Sequence, residues 1–272
     1  MRVVTLSAVP KRRLDTVLAE RGLYESRSRA AAAVLAGDVR LGGGGRRASK
    51  PGQMVTEDVD VEVAKPPPFV SRGGVKLANA LDSFGIDPAE RRCLDVGAST
   101  GGFTDCLLKR GAAAVAAVDV AYGELHWTLR QDPRVTVIER TNARSVTPED
   151  LPWRASLVVA DLSFISLRKV LPAALRCADS RFDCVALVKP QFELSREQVG
   201  KGGVVRDADR RREALVAVGV AMRGELGLAV LGYASSALPG PAGNRESFIW
   251  IAEPARENAV QDLGEAARRA EP

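Results

Sequence analysis

The stretch D-V-G-A-S-T-G-G-F-T, at residues 95–104, decides the fold. It follows directly on a short apolar segment, so it marks a turn that leads from a buried strand into a helix. Gly97, Gly101 and Gly102 would let the backbone of this turn approach a ligand closely. Asp119 ends the next apolar segment, at about the 20-residue spacing of an acid that hydrogen-bonds a ribose. The stretch therefore predicts a nucleotide-like cofactor beside the first strand of a Rossmann-like sheet.

The form of this glycine turn narrows the class of cofactor. It lacks the G-x-G-x-x-G spacing of a dinucleotide site, and no phosphate-binding lysine follows it. A phosphate-free ligand such as S-adenosylmethionine fits better. Asn142 is a candidate for reading the adenine edge, although an ordinary loop asparagine fits its position equally well. The predicted cofactor-binding residues are Gly97, Ser99, Thr100, Gly101, Gly102, Phe103, Asp119, Asn142 and Asp161.

Seven apolar segments alternate with helical stretches over the second part of the chain. They lie at 93–96, 113–118, 135–138, 157–160, 185–188, 228–232 and 248–251. Strands that alternate with helices are typical of a parallel sheet covered by helices on its faces. The fold class predicted for this part is therefore α/β, a Rossmann-like, seven-stranded domain of the kind that uses S-adenosylmethionine.

Positive charge is concentrated at the front of the chain. The first 50 residues carry eleven Lys or Arg and four Asp or Glu, a net charge of +7 in a chain whose total is +5. Such a block attracts polyanions through contacts to phosphates that do not depend on base sequence. A solvated surface without a partner is the simpler alternative. Charge alone therefore favours a nucleic-acid partner without requiring one.

The basic front has the pattern of a small α+β unit. Leu14, Val17 and Leu18 share one face of a first helix that Gly22 can close, and Ser26 can cap a second helix that ends near Gly37. Strands are predicted at 39–41 and 54–63, with a turn at 42–47 between them. The order of these elements, with S-R-S-R at 26–29 and K-P-G at 50–52, resembles the S4 domain, a small RNA-binding module.

The S4 resemblance covers about residues 11–63 and implies basic residues that face structured RNA. A proline triplet at 66–68 cannot continue a helix or a strand ladder, so it predicts a domain boundary. We therefore expect an S4-like domain at 1–64, a proline-rich linker at 65–70 and the Rossmann-like domain at 71–272, which the resemblance described next implies is an FtsJ-like methyltransferase domain. The candidate RNA contacts are Arg12, Arg27, Ser28, Arg29, Lys50 and Arg72.

Six runs, one of which contains the glycine turn, resemble the TlyA family, which joins an S4 domain to an FtsJ-type methyltransferase domain. They are S-R-G-G-V-K-L (71–77), L-D-V-G-A-S-T-G-G-F-T (94–104), E-R-T-N-A-R (139–144), A-D-L-S-F-I-S-L (160–167), L-V-K-P-Q-F-E (187–193) and L-P-G-P-A-G-N-R-E (238–246). The resemblance implies methylation of cytidine ribose 2′-hydroxyls in ribosomal RNA, within the small or the large subunit. It also implies a catalytic tetrad, carried over onto Lys76, Asp161, Lys189 and Glu246. The P-P-P-F linker at 66–69 departs from some relatives, which puts in doubt any role of that segment in coupling the domains.

The tetrad suits this chemistry. A ribose hydroxyl must lose its proton as its oxygen attacks the methyl group, and a neutral lysine can take that proton. Lys189 is the candidate for this role, and Lys76 would orient the hydroxyl. Asp161 would hold the lysines and face the sulfonium, while Glu246 would fix Lys76 or the ribose. Without the resemblance, surface ion pairs are the simpler interpretation of these four residues.

Several other functions fit the sequence less well. The position after the fourth strand reads D-L-S-F, without the N-P-P-Y of amine methyltransferases, and no cysteine nucleophile stands there. Some relatives carry the label haemolysin, but we find no apolar stretch long enough to span a bilayer. A non-catalytic ribosome-assembly factor is the main alternative. The only histidine, His126, is expected in a helix that packs on the sheet, with a structural role.

The remaining expectations concern compartment and assembly. The N-terminus does not have the pattern of a secretory signal, so we expect a cytoplasmic protein. The four cysteines have neither C-x-x-C pairs nor a nearby histidine cluster, which predicts buried free thiols and no metal site. We expect a monomer that acts on ribosomal RNA within ribosomal subunits and does not bind membranes.

Overall fold

The computed structural model describes residues 10–64 and 67–271. The chain divides into two compact units, with the division between Pro67 and Pro68. Residues 65 and 66 of the predicted linker lie outside the described residues.

Within residues 10–64, the first unit contains two short helices and five short strands. These are β1 (Lys11–Arg13), α1 (Leu14–Glu20), α2 (Arg27–Ala36), β2 (Val39–Leu41), β3 (Arg46–Arg47), β4 (Met54–Thr56) and β5 (Val61–Val63). The backbone N–H of Arg29 donates to Ser26 Oγ at the start of α2, and Gly37 ends that helix in the left-handed region with a φ of +87°. Both helix ends are therefore those that the sequence predicts.

The core of the first unit lies between its helices and strands. Its buried side chains include Leu14, Leu18, Val34, Val39 and Val55. Strands β3, β2 and β5 form an antiparallel sheet, and β1 pairs with β4.

Two sequence expectations for this unit need correction. The single strand predicted at 54–63 is two strands, because the acidic segment that follows Thr56 turns the chain before Val61. The turn predicted at 42–47 ends earlier, because Arg46 and Arg47 pair with Leu41 and Arg40 to form β3. The alternation of valines did not distinguish one long strand from two short ones, because each short strand keeps the same alternating pattern although β4 and β5 belong to different sheets.

The second unit is built on one seven-stranded sheet. Its strands are β6 (Arg92–Val96), β7 (Ala114–Val118), β8 (Val135–Ile138), β9 (Ala155–Ala160), β10 (Ala178–Val188), β11 (Ala229–Ser235) and β12 (Ser247–Ala252). Its helices are α3 (Arg72–Phe84), α4 (Gly102–Lys109), α5 (Trp127–Arg130), α6 (Leu171–Arg176), α7 (Pro190–Glu193), α8 (Ala208–Leu226) and α9 (Leu263–Ala270). Each predicted strand corresponds to one of these strands, so the predicted fold class is confirmed.

The strands lie in the order β11-β12-β10-β9-β6-β7-β8. The sheet is parallel except for β12, which runs antiparallel to both of its neighbours and corrects the expectation of a wholly parallel sheet. Successive side chains along a strand point to opposite faces of the sheet, and each face has its own hydrophobic core. Leu94 and Val96 of β6 pack towards α6, α8 and α9, whereas Cys93 packs towards α3 and α4. Burial on both faces explains why the strands are continuous apolar runs.

Four loops at the carboxyl edge of this sheet bring the predicted site residues together. Gly97 follows β6, Asp119 follows β7, Asp161 follows β9 and Lys189 follows β10. The chain order of the strands reverses between β6 and β9, and ligands of open α/β sheets bind at such a switch point.

Two smaller expectations are settled by burial. All four cysteines are buried and free, as predicted. His126 is exposed at the start of α5, where its Nδ1 accepts a hydrogen bond from the backbone N–H of Thr128. It therefore caps a short helix and does not pack on the sheet.

Candidate active site

The glycine turn after β6 is shaped by close backbone contacts. Gly97 has a φ of +85°, and a Cβ there would lie 2.5 Å from the carbonyl oxygen of Asp161. A Cβ on Gly102 would lie 2.1 Å from Ser71 Oγ. Only glycine therefore allows this turn to approach both the loop after β9 and the start of α3.

Gly101 has a different role from the other two glycines. It precedes α4 with a φ of +92°, and a Cβ there would lie 2.3 Å from a methyl group of Leu129. The residue faces the packing of Leu125 and Leu129, and it is not among the residues that line the two cavities at this edge.

A cavity of about 490 Å³ lies between the loops that follow β6, β7, β8 and β9. Asp119 is at its rim, where its carboxylate accepts hydrogen bonds from the backbone N–H groups of Ser99 at 2.7 Å and Ala121 at 2.8 Å. Asn142 also lines the cavity, but its side-chain oxygen accepts from the backbone N–H of Arg144 at 3.0 Å. We call this space the adenosine pocket, because it is built around the residues predicted to bind that part of the cofactor.

All four residues of the predicted tetrad line a second, adjoining cavity of about 270 Å³, which we call the tetrad cavity. Lys76 comes from α3, Asp161 and Lys189 follow β9 and β10, and Glu246 precedes β12. Of the other predicted cofactor-binding residues, Gly97, Ser99, Thr100, Gly102 and Phe103 line the tetrad cavity, and Gly97, Ser99 and Asp161 line both cavities.

The tetrad forms two ion pairs. Lys76 Nζ lies 2.5 Å from Glu246 Oε2, and both residues are buried, with exposures of 6% and 3%. Lys189 Nζ lies 2.6 Å from Asp161 Oδ1, at an angle that is not that of a hydrogen bond, and it donates to Ser163 Oγ at 3.0 Å. Asp161 Oδ1 is thus buried beside a cation, but no described residue donates a hydrogen bond to it.

Asp95, inside the glycine-loop motif, is an unusual acid that we did not single out from the sequence. It is fully buried in β6, where Thr104 Oγ1 donates to its Oδ2 at 2.7 Å and its Oδ1 has no hydrogen-bond partner in the part of the chain that the structure describes. Burial raises the pKa of Asp95 to about 7, and the charge of nearby Asp161 adds to this effect. The available signal was an acid in the middle of an otherwise apolar strand.

Aromatic side chains stand beside the cavities. Phe164 is 91% exposed, and its backbone is in the left-handed region with a φ of +65°. Its ring lies 5.3 Å from that of Phe192, which follows Lys189 by three residues. Such strained backbone in a non-glycine residue clusters at functional sites. Both rings are available to a ligand at the rim of the site.

The candidate RNA contacts are placed at the surface, and some already have partners. Arg12 pairs with Glu20 at 2.6 Å and Glu57 at 2.9 Å. Arg27 lies 3.6 Å from Asp15. The exposed candidates in the first unit also include Ser28, Arg29 and Lys50.

The remaining candidate, Arg72, belongs to the second unit. It is exposed at the start of α3 and lines the tetrad cavity. Sequence reasoning did not count the exposed arginines of β2 and β3 in the first unit, which are Arg40, Arg46 and Arg47. The sequence feature that could have indicated Arg46 and Arg47 is a basic pair directly after a glycine turn, whereas Arg40 precedes that turn.

Comparisons with known proteins decide the family. The FtsJ-like methyltransferase model matches residues 69–253, and the S4 domain model matches residues 12–61. The 16S/23S rRNA (cytidine-2′-O)-methyltransferase TlyA of Mycobacterium tuberculosis is 50% identical over 261 residues, which cover 95% of this chain and 96% of that protein. The chain belongs to the TlyA family. The resemblance inferred from the sequence is thereby confirmed.

Other TlyA-like proteins carry a different name. Hemolysin A of Brachyspira hyodysenteriae is 39% identical, over 86% of this chain and 97% of its own length. A solved structure from Streptococcus thermophilus, provisionally named a haemolysin, matches with a TM-score of 0.71 and 37% identity, covering 97% of this chain and 96% of that one. Among the residues that the structure describes, no helix has the length and apolarity needed to cross a membrane.

Proposed function

We propose that this protein transfers a methyl group from S-adenosylmethionine to the 2′-hydroxyl of a cytidine ribose in ribosomal RNA. One observation carries the proposal. Four charged residues from distant parts of the chain line one cavity, and that cavity shares Asp161 with the adenosine pocket. A non-catalytic assembly factor would have no need to keep this arrangement.

The residues present fit S-adenosylmethionine. The tight approach of Gly97 to Asp161 leaves backbone exposed where a cofactor would lie, and Asp161 Oδ1 is a buried acceptor without a donor. A positively charged sulfonium would suit such an acceptor, because this oxygen receives no hydrogen bond although it is paired with Lys189. When bound, this cofactor supplies an electrophilic methyl group. Asp119 would hold its ribose and Asp161 would face its sulfonium.

We assign Lys189 as the residue that accepts the proton of the ribose hydroxyl. Asp161 and Ser163 hold its Nζ at the junction of the two cavities. Lys189 pairs with Asp161 as a cation, so it would first release its own proton to solvent, and its amine would then take the hydroxyl proton as the methyl group leaves sulfur for oxygen. With the cofactor bound, Asp161 would be shared between the sulfonium and Lys189, and Ser163 would continue to hold the amine of Lys189 towards the hydroxyl.

The second pair of the tetrad orients the ribose. Lys76 is fixed by Glu246 in a buried ion pair, so its remaining N–H groups have a defined direction into the cavity. Donors that are held before the substrate arrives do not have to reorganise during the reaction. We therefore propose that Lys76 donates a hydrogen bond to the hydroxyl oxygen of the ribose and that Glu246 holds Lys76 in place.

The S4 domain supplies binding to RNA. Its exposed basic residues, including Arg29 and Lys50, suit phosphate contacts, and Arg72 at the tetrad cavity suits the phosphate next to the target ribose. A ribosomal RNA substrate also requires a cytoplasmic enzyme. The TlyA relative of Mycobacterium tuberculosis is named for both 16S and 23S rRNA, which supports testing both subunits. A monomeric state stays a prediction.

Transfer of labelled methyl groups to purified small and large ribosomal subunits, and to naked rRNA, tests the proposal. The wild-type protein is compared with Lys189→Ala and with Lys109→Ala, a matched lysine substitution at an exposed position on α4. We expect labelled 2′-O-methylcytidine with the wild type and Lys109→Ala only. Binding of RNA and cofactor without methylation of any substrate would favour the assembly factor.

A further inference from the structure

Glu193 is a buried carboxylate that joins the two loops of the Asp161–Lys189 pair. It ends the short helix α7, four residues after Lys189, and it is 5% exposed. Its partners lie in the other loop, where Ser166 Oγ donates to Oε2 at 2.6 Å and the backbone N–H of Leu167 donates to Oε1 at 2.7 Å. Both carboxylate oxygens therefore hold a segment that begins at Asp161.

A further contact ties the same two loops together. Arg168 donates through Nη2 to the backbone carbonyl of Glu193 at 2.9 Å, and its Nε lies 3.4 Å from Glu193 Oε2. The loops also meet through the rings of Phe164 and Phe192. Glu193 is the buried member of this set, whereas the contacts of Arg168 and the two rings are at the surface.

Burying this carboxyl group is costly. Burial raises the pKa of Glu193, although the hydrogen bonds from Ser166 and Leu167 and the charge of Arg168 act in the opposite direction. A buried acceptor that loses its donors is destabilising, and more so if it is charged. The carboxylate is therefore stable in this place only while the two loops stay together.

We propose that Glu193 is a positioning residue, which sets the separation of Asp161 and Lys189 by locking the loop after β9 to the loop after β10. Glu193 does not line the adenosine pocket or the tetrad cavity, so it acts through those residues. This inference rests on the proposed function, because the separation of Asp161 and Lys189 matters only if these residues take part in methyl transfer. The hydrogen bonds from Ser166 and Leu167 to Glu193, which we call the lock, are a property of the fold and can be measured without catalysis.

Three variants test the inference. Glu193→Ala removes both acceptors. Glu193→Gln keeps the lock, because its carbonyl oxygen accepts from Leu167 and its amide group donates to Ser166 Oγ. Asp183→Ala is the matched control, since Asp183 is also a buried acid with three donors, from Arg91, Trp250 and Arg256. It lies at the middle of β10, six residues before Lys189, and belongs to neither of the two loops.

The kinetic readout is the single-turnover rate at saturating cofactor and RNA, together with the KM for S-adenosylmethionine. A displacement of about 1 Å in a reacting group costs about 10²-fold in rate. We expect a fall of about that size in Glu193→Ala with little change in KM, rescue by Glu193→Gln, and a wild-type rate for folded Asp183→Ala. Equal rates in Glu193→Ala and wild type, or equal losses in Glu193→Ala and Asp183→Ala, would overturn the inference.

Hydrogen exchange of the backbone separates this inference from the proposed function. In Glu193→Ala we expect faster exchange in 161–169 and 189–195 together, and no such change in Asp183→Ala. If the wild type methylates no RNA, the proposed function fails, and these exchange rates still test the lock. Unchanged exchange in both segments of Glu193→Ala would refute it.

Discussion

Removal of one partner from the Lys76–Glu246 pair is expected to destabilise the methyltransferase domain by about 3 to 5 kcal/mol. The two residues are 6% and 3% exposed, with Lys76 Nζ 2.5 Å from Glu246 Oε2, so either side chain alone is a buried charge without a partner. We choose methionine for both substitutions because it is close in length to each side chain. Lys76→Met and Glu246→Met should each show this loss.

The double variant, Lys76→Met with Glu246→Met, should be close to the wild type in stability. Replacing a whole buried ion pair by apolar side chains removes the cost of burying both charges along with their attraction. All three variants should lose methyl transfer, because each lacks the donor or its fixed direction. The double variant would then be as stable as the wild type but inactive, as expected for an ion pair whose role is catalysis and not stability.

Denaturation by guanidinium, followed by tryptophan fluorescence, measures these differences. The chain has three tryptophans, Trp127, Trp153 and Trp250, and all of them lie in the second unit. The signal therefore reports that unit alone. With a slope of about 5 kcal/mol/M, the midpoint of each single variant should fall by about 0.6 to 1 M. Losses below about 1 kcal/mol in the single variants would refute the burial argument, and additive losses in the double variant would refute the coupling.

Three other outcomes are expected. Because the raised pKa of Asp95 means that the folded state keeps its proton up to about pH 7, this residue should cost the wild type about 3 kcal/mol of stability between pH 5 and pH 8. In denaturation at pH 5 and pH 8, Asp95→Asn should not show that loss. The same pH dependence of stability in Asp95→Asn and the wild type would contradict the assignment of the raised pKa to Asp95. Gly97→Ala should abolish cofactor binding in calorimetry, since its Cβ would lie 2.5 Å from the carbonyl oxygen of Asp161, and unchanged affinity would show that the turn can relax. Arg29→Ala should weaken RNA binding and lower the salt slope by about 1 without affecting cofactor affinity, and an unchanged slope would remove Arg29 from the interface.

The sequence was sufficient for the sheet and for the edge that bears the site. Strands buried on both faces are continuous apolar runs, so their ends could be read closely, and Asp119, Asp161 and Lys189 follow directly from those ends. The antiparallel direction of β12 was not readable, because strand direction leaves no mark in composition. The split of 54–63 was missed because alternation is the same in one strand as in two.

The pairing within the tetrad depends on tertiary packing. Lys76 and Glu246 are 170 positions apart, and they meet only because α3 packs on the sheet next to the loop before β12. From the sequence alone, Glu246 could hold either Lys76 or the ribose, and Asp161 was expected to hold both Lys76 and Lys189. The contacts of Glu193 were missed for the same reason, although the residue stands in a run that was singled out for its neighbour Lys189.

The most direct test of the central claim is alkaline hydrolysis of RNA that this protein has labelled with methyl groups. Alkali cleaves RNA through the 2′-hydroxyl, so a methylated ribose leaves an intact dinucleotide, whereas a methylated base leaves a labelled mononucleotide. We predict that the label appears in an alkali-resistant dinucleotide with cytidine at its 5′ position, and only when Lys189 is present. Label in mononucleotides, or equal labelling by Lys189→Ala, would contradict the account.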